Sequence, residues 1–400
     1  MSAERITDDL RRVLVIQALR AFLYGFASVL LGVTLHLGRG LSYARIGLVF
    51  TAILAGMALT STLVGFGAHR LGWRRGYAGL LLVMGCAGAV FAFTGNLVAL
   101  VIAALTGTLS TDANESGPIT SLEQGMIGQA SPQTRLHVFG RYNAIAYLAG
   151  AGGALAAGIP SLLGWKAAQD HLAFLMFPVV AIPCVILASR LSVSVEPQAA
   201  AEPGPRSTLK ESRGTVKKLS ALFSLDSFAG GFIVNAIVVL WFGQRFGAST
   251  GSLALVFFVS GFVQAASSIA AARIAQRFGL LNTMVFTHLP SNLLLILLAF
   301  SPTLPVAVAV WWCRTALSQM DVPARQAYVA AMVEPQERVA AAAFTNTARY
   351  VSRPWGALLS GSLMQVVIGA PFVVAGSIKA IYDVAIYFTF RRVRLPEDAP

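Results

Sequence analysis

The stretch GFGAHRLGWRR, residues 65–75, sets Arg70, Arg74 and Arg75 among the glycines Gly65, Gly67 and Gly72, between two long runs that are almost wholly apolar. A chain that leaves a bilayer, turns and re-enters it needs an interruption of this kind. Glycine lets helix ends turn tightly and approach closely. Arginines flanking a short gap hold that gap on the cytoplasmic face. The whole chain of 400 residues fits the same reading: 56% of it is hydrophobic and only 12% charged, with a mean hydropathy of +0.69. A soluble domain is about 25% charged, so the solvent for most of this surface is lipid.

The formal net charge is +13. On a soluble protein that value would point to nucleic acid. Here the basic residues lie in gaps between apolar runs, the pattern of membrane loops, and no nucleic-acid partner is expected. Cys86, Cys184 and Cys313 are far apart, each inside an apolar run, and offer neither a disulfide framework nor metal spacing. After MSAERITDDLRR comes an apolar run too long for a signal-peptide core, without a small-residue cleavage site, so it reads as a retained first helix.

A span needs about 20 apolar residues. Candidates are 13–36, 44–68, 76–95, 97–117, 139–160 and 171–191, then 219–243, 252–274, 283–301, 304–324, 339–365 and 371–390. That is six on each side of residues 192–218, a stretch rich in Pro, Ala, Ser and charge that reads as a solvated linker. The expected domains are therefore 1–191, a linker over 192–218, and 219–400. Alternate loops carry most of the arginines and lysines, among them Arg11, Arg12, Arg70, Arg74, Arg135, Lys217, Arg277, Arg338 and Arg391. Both termini are then cytoplasmic, as an even span count also requires.

The two halves echo one another. Ala68-His69-Arg70-Leu71-Gly72 recurs as Ala275-Gln276-Arg277-Phe278-Gly279, after the second span of each half. Leu19-x-x-Phe22-x-x-Gly25-Phe26 recurs as Leu225-x-x-Phe228-x-x-Gly231-Phe232, and Pro132-Gln-Thr-Arg135 as Pro335-Gln-Glu-Arg338. The offsets are nearly constant, which marks a duplicated six-helix unit of the kind found in secondary transporters.

On these residues the chain resembles the major facilitator superfamily. The family's loop between helices 2 and 3 reads roughly G-x-L-A-D-R-x-G-R-[RK]. Gly65, Ala68, Arg70, Gly72 and Arg74 match it, whereas His69 stands where Asp is usual and Trp73 where Arg is usual. The resemblance implies an all-α membrane protein with twelve transmembrane helices in two pseudo-symmetric six-helix bundles. It implies that helices 1, 4, 7 and 10 line a central cavity, and that the loop with Gly65, Arg70, Gly72, Arg74, Arg277 and Gly279 governs conformational switching. The family's Asp helps latch this loop to the opposite half, a role His69 does not obviously fill.

Charges inside spans are costly and mark function. Arg20 lies in span 1, Asp112 and Glu115 in span 4, Asp226 in span 7, Arg314 and Asp321 in span 10. Arg20 and Asp226 are repeat equivalents, each eight residues beyond a basic end, about 12 Å deep. They are read either as a pair across the cavity or as static partners of Asp112 and Arg314. Asp112 and Glu115, at i and i+3, share a helix face and suit a proton site, or sit solvated at a frayed helix end. Gly117-Pro118 and Pro323 should interrupt spans 4 and 10. Lys379 and Asp383, at i and i+4 in span 12, read as a mutually neutralising pair. His288 in span 9 reads as a packing residue rather than a ligand, and the glycines of span 5 as packing or a tilt toward export.

No nucleophile–base set, phosphate loop or metal spacing is visible, so neither an enzyme nor a cofactor is expected. The leading expectation is a monomeric, proton-coupled antiporter of the cell (inner) membrane, exporter-like and specialised for efflux of a small drug or metabolite. The alternatives are an uptake symporter for a small, anionic metabolite and a non-transporting receptor.

Overall fold

A computed structural model describes residues 3–113, 117–128, 132–165, 167–196, 211–333 and 337–393; the side chains of 3–7, 65–71, 128, 132–140, 167–168, 272, 330 and 338–340 lie outside that description. Among the described residues every regular element is helical. The helices are α1 (Ala3–Val33), α2 (Tyr43–Leu71), α3 (Trp73–Phe93), α4 (Leu97–Leu105), α5 (Pro118–Gly128), α6 (Pro132–Ala156), a short α7 (Ile159–Leu162) and α8 (Met176–Ser189). They continue with α9 (Arg213–Gly231), α10 (Asn235–Phe246), α11 (Thr250–Phe278), α12 (Leu280–Ala299), α13 (Leu304–Ser318), α14 (Asp321–Ala331), α15 (Arg338–Val366) and α16 (Ala370–Phe390).

These elements follow the twelve expected spans in order. Nine helices among the described residues are long and apolar enough to cross a membrane on composition alone. The other three spans miss that mark for local reasons. Span 4 is split into α4 and α5, span 10 into α13 and α14, and α15 carries Arg349 and Arg353 along its length. Span 7 is also split, between α9 and α10, by the three residues 232–234. Large apolar side chains such as Phe93, Leu162 and Val366 are exposed, as a lipid-facing surface requires.

Contacts divide the chain into two compact units, Met1–Ala200 with Val234–Gly261, and Ala201–Ile233 with Phe262–Pro400. In the first unit α1 packs along α6, α3 along α8, and α2 against α4 and α5. Phe26, Phe91, Phe174 and Phe177 fill its interior with ring centroids about 6 Å apart. In the second unit α9 packs along α15, and α12 against α16, α13 and α14.

The closest helix contacts explain one of the sequence echoes. A Cβ on Gly25 would stand 1.9 Å from the carbonyl oxygen of Gly150, and one on Gly153 would stand 1.8 Å from that of Phe22. In the second unit a Cβ on Gly231 would stand 2.1 Å from the carbonyl oxygen of Arg353, and one on Gly356 would stand 2.0 Å from that of Phe228. Phe22 and Gly25, and again Phe228 and Gly231, are the repeated letters of the echo. They recur because the same helix crossing, backbone against backbone, is built twice.

The break in span 4 is wider than Gly117-Pro118 predicts. Helix stops at Leu105 and resumes only at Pro118. Gly107 turns the chain at φ +68°, where a Cβ would run into Gly56 and Thr60 of α2. The backbone freed there finds local partners: Thr106 Oγ1 donates to the Ala103 carbonyl at 2.7 Å, and Tyr24 Oη donates to the Thr108 carbonyl at 2.6 Å. Asp112 is therefore not helical, and the shared helix face expected of Asp112 and Glu115 does not form. Asp112 is half-buried, its amide donating to Ser110 Oγ at 3.0 Å. Glu115 lies outside the described residues. Span 10 breaks at Gln319–Met320, two residues before Pro323, close to where that proline predicts.

Candidate functional site

The loop read first is a tight turn. Gly72 has φ +78° and Gly279, its repeat equivalent, has φ +82°, and each stands immediately before a helix. In this region glycine avoids the Cβ strain of other residues. Glu196 supplies the carboxylate at the start of α3, accepting from the amides of Trp73 at 2.6 Å and Arg74 at 3.1 Å. That satisfies two of the helix's orphan donors and sets negative charge on its positive end. Arg74 donates to the Ser189 carbonyl at 3.3 Å, and Arg277 is exposed beside the Phe278 ring. The side chains of Arg70 and His69 lie outside the described residues. Asp9 binds the same segment, accepting from the Ser192 amide at 3.1 Å and from Arg12 at 2.8 Å.

Arg20 is buried in the first unit, and its partner is one the sequence did not suggest. Its Nη2 donates to Glu123 Oε2 at 2.6 Å and lies 3.2 Å from Tyr142 Oη, with Gln17 one turn back also accepting from it. Tyr77 donates to Glu123 Oε1 at 2.8 Å and Tyr142 to Oε2 at 2.5 Å. The guanidinium lies 5.2 Å from the Tyr24 ring centroid. Glu123 is 0% exposed and Arg20 1%, so this is a dry, nearly closed cluster joining α1, α3, α5 and α6. Residues 118–128 fall between the expected spans 97–117 and 139–160, so Glu123 is not among the site residues the sequence suggests. The available signal was Pro118 at a helix start and the buried stripe Ile119, Leu122, Met126, beside which Glu123 falls.

Asp226 finds its partners inside the second unit. Its Oδ1 accepts from Lys379 at 2.5 Å, and its Oδ2 lies 3.5 Å from Arg325 Nη1. Arg325 also donates to Asp321 at 2.9 Å. The neutralising pair expected between Lys379 and Asp383 does not form. Lys379 is drawn to Asp226 on α9, and Asp383 accepts instead from α12, where its Oδ1 is 2.8 Å from His288 Nδ1 and its Oδ2 2.8 Å from Asn292 Nδ2. Side chains at i and i+4 have a common helix face, but here each reaches a stronger partner on a neighbouring helix. His288, expected to be packing, is thus a member of a buried charge network.

The two clusters share a design with the signs exchanged. Arg20 on span 1 meets Glu123 on α5, the second half of broken span 4. Asp226 on span 7 meets Arg325 on α14, the second half of broken span 10. In both units the break turns a short helix so that it carries a charge to the buried one. Arg314 differs from all of these. It lies on the inward face of α13 beside Trp311, 5.0 Å from that ring, and among the described residues its buried Nε has no acceptor.

The comparisons agree with this architecture. Residues 219–400 match the Major Facilitator Superfamily model. Uncharacterized membrane protein YJR124C of Saccharomyces cerevisiae is 26% identical over 388 residues, with 86% of this chain and 85% of that protein covered. The solved nucleoside transporter NupG has a TM-score of 0.71 at 16% identity, covering 96% of this chain and 98% of its own. A bacterial homolog of the human lysosomal transporter Spinster, inward-facing and unoccupied, gives 0.73 at 14% identity, with 97% of each chain covered. The D-xylose–proton symporter gives 0.72 at 14% identity, covering 94% of this chain and 97% of its own. The chain is a multi-pass membrane protein whose fold is that of the Major Facilitator Superfamily transporters.

Proposed function

We propose that the chain is a secondary transporter working by alternating access, coupled to protons and exporting a small organic compound. The observation that carries the reading is that spans 4, 7 and 10 break beside buried charges, in a fold whose broken helices serve to bind ions and substrates. In this reading residues 1–191 and 219–400 act as two bundles joined by 192–218, and the protein is a monomer of the cell membrane with both termini cytoplasmic. Arg20, Asp112, Glu115, Asp226, Arg314 and Asp321 belong to the substrate and proton pathway. The test is accumulation of a compound panel in cells with and without the protein, plus and minus a protonophore. Export lowers accumulation of at least one compound, and the protonophore restores it. A panel that is unaffected by the protein removes the reading.

One observation favours a second reading, uptake of a small anion. Arg20 is neutralised by Glu123, whereas Arg314 stands beside the Trp311 ring with its buried Nε lacking an acceptor among the described residues. A guanidinium beside an aromatic face suits a planar oxyanion. If an anion is carried, Arg314→Gln should raise its KM at least tenfold and leave neutral compounds unaffected. An unchanged KM excludes Arg314 from binding.

The loop of Gly65, Arg70, Gly72 and Arg74, with Arg277 and Gly279, is proposed to govern switching and not substrate choice. Arg70→Ala should lower turnover with the substrate affinity held. A changed affinity at unchanged turnover would contradict this role.

A further inference from the structure

Span 9 carries a histidine that neither the transporter reading nor the expected proton site in span 4 uses. His288 is 5% exposed, and its ring lies between two carboxylates from different helices. Nδ1 is 2.8 Å from Asp383 Oδ1 on α16, and Nε2 is 3.8 Å from Asp226 Oδ1 on α9. The site is about eight residues, or ~12 Å, into α12 from the Gly279 turn. A histidine bracketed by carboxylates inside a membrane span is an expensive arrangement, and relays of this composition carry protons in pumps and transporters. We propose that His288, paired with Asp383, takes up and gives back the coupling proton. The proposal rests on the proton-coupled reading above and moves its proton site from span 4 to the second unit.

The chemistry follows from the distances. At 2.8 Å Nδ1 and Asp383 Oδ1 share one hydrogen bond, whichever atom holds the proton. Nε2 is the open position. At 3.8 Å from Asp226 it is beyond hydrogen-bond reach. When Nε2 takes a proton from water, one N–H bond forms and the ring becomes a cation with a donor aimed at Asp226. Asp226 Oδ1 is already held by Lys379 at 2.5 Å. A second donor at that oxygen competes with Lys379, so loading the proton shifts the tie of α9 from α16 toward α12. Release returns the proton to water and restores the Lys379 bond. Proton occupancy is thereby linked to which helices are tied at the broken span 7.

Other charges stand around the ring and around Asp226, among them Arg349 of α15, which packs along α9 and acts on Asp226. From α16 come Lys379, Asp383 and Tyr382, whose ring stands edge-on to His288 at 6.0 Å. From α14 come Asp321 and Arg325, which bond one another. α13 approaches at the Arg314 carbonyl, which accepts from Ser291 at 3.3 Å, and α9 contributes Asp226. Within α12, Asn292 Nδ2 lies 3.1 Å from Nδ1 and donates to Asp383 Oδ2. Lys379, Arg325 and Arg349 surround Asp226 and Asp321, and Asp383 is the carboxylate in direct contact with the His288 ring.

The test uses the full-length protein in lipid nanodiscs, with ring-labelled histidine observed by NMR and the proton itself as probe. The signal that His288→Gln removes is that of His288, one of five histidines. Its position should change with pH, because the proposal requires the ring to load and release a proton. Asp383→Asn, an isosteric change, removes the carboxylate that shares that proton, so the pH response of the signal should change. In the panel assay His288→Gln should abolish protonophore-sensitive transport while keeping substrate counterflow. A His288 signal that does not change with pH, or whose pH response ignores Asp383→Asn, overturns the assignment even where transport is intact. Protonophore-sensitive transport surviving in His288→Gln overturns it equally. A wild type with no such transport removes the coupled reading, and the proposal with it.

Discussion

Gly153→Val should leave almost no folded protein. A Cβ at residue 153 would stand 1.8 Å from the Phe22 carbonyl oxygen and 2.9 Å from the Phe26 amide nitrogen. These are backbone atoms of α1, so no side-chain rotamer relieves the clash, and α1 and α6 must separate along their crossing. Overpacking of a core costs about 1–3 kcal/mol even where side chains yield, and here rigid helices must move. The matched change Gly356→Val faces the Phe228 carbonyl at 2.0 Å and should do the same to the second unit. Gly152→Ala is the control, since its new Cβ meets nothing closer than the Phe22 ring at 3.9 Å. Folded yield by size-exclusion chromatography of fluorescent fusions checks all three. A monodisperse Gly153→Val protein with a melting temperature near that of the wild type would refute the crossing.

The second large effect concerns Arg20 and Glu123. Either Arg20→Met or Glu123→Leu leaves one charge in a site that is almost wholly dry. Breaking such a pair costs about 3–5 kcal/mol, because the remaining charge has no counterion. The double variant Arg20→Met with Glu123→Leu should recover most of that loss, since neither desolvated charge is left. Tyr77 and Tyr142 then lose their acceptor, which limits the recovery. Thermal unfolding in detergent measures the cycle. Additive losses in the double variant would show that the two residues do not act as a pair.

Both results bear on one question, which charges are structural. Arg20 and Glu123 are bonded to one another and to Tyr77 and Tyr142 in a buried cluster, with the Arg20 Nε left without a partner among the described residues. The second-unit network differs, since His288 Nε2 stands short of a hydrogen bond and Asp226 is shared by Lys379 and Arg325. An under-determined arrangement of this kind has two nearby states, which a switch requires.

Much of the architecture was legible in the sequence because the bilayer simplifies the reading. Lipid satisfies no backbone group, so each crossing is an apolar run of set length and each gap is polar. The span limits, the alternation of basic loops and the duplication all follow from that rule, and the glycines repeated at residues 25 and 231 already marked the helix crossings. The partners of the buried charges were not legible. Sequence spacing paired Lys379 with Asp383 and Asp112 with Glu115, because neighbours one helical turn apart are the only contacts that spacing can show. The fold instead brought Lys379 to Asp226, 153 residues away, and Arg20 to Glu123, 103 residues away. Tertiary structure decided these pairings, because a desolvated charge gains most from the counterion that packing delivers to it, and only the packing of α9 on α16 and the turn of α5 after the break at residues 106–117 determine which one that is.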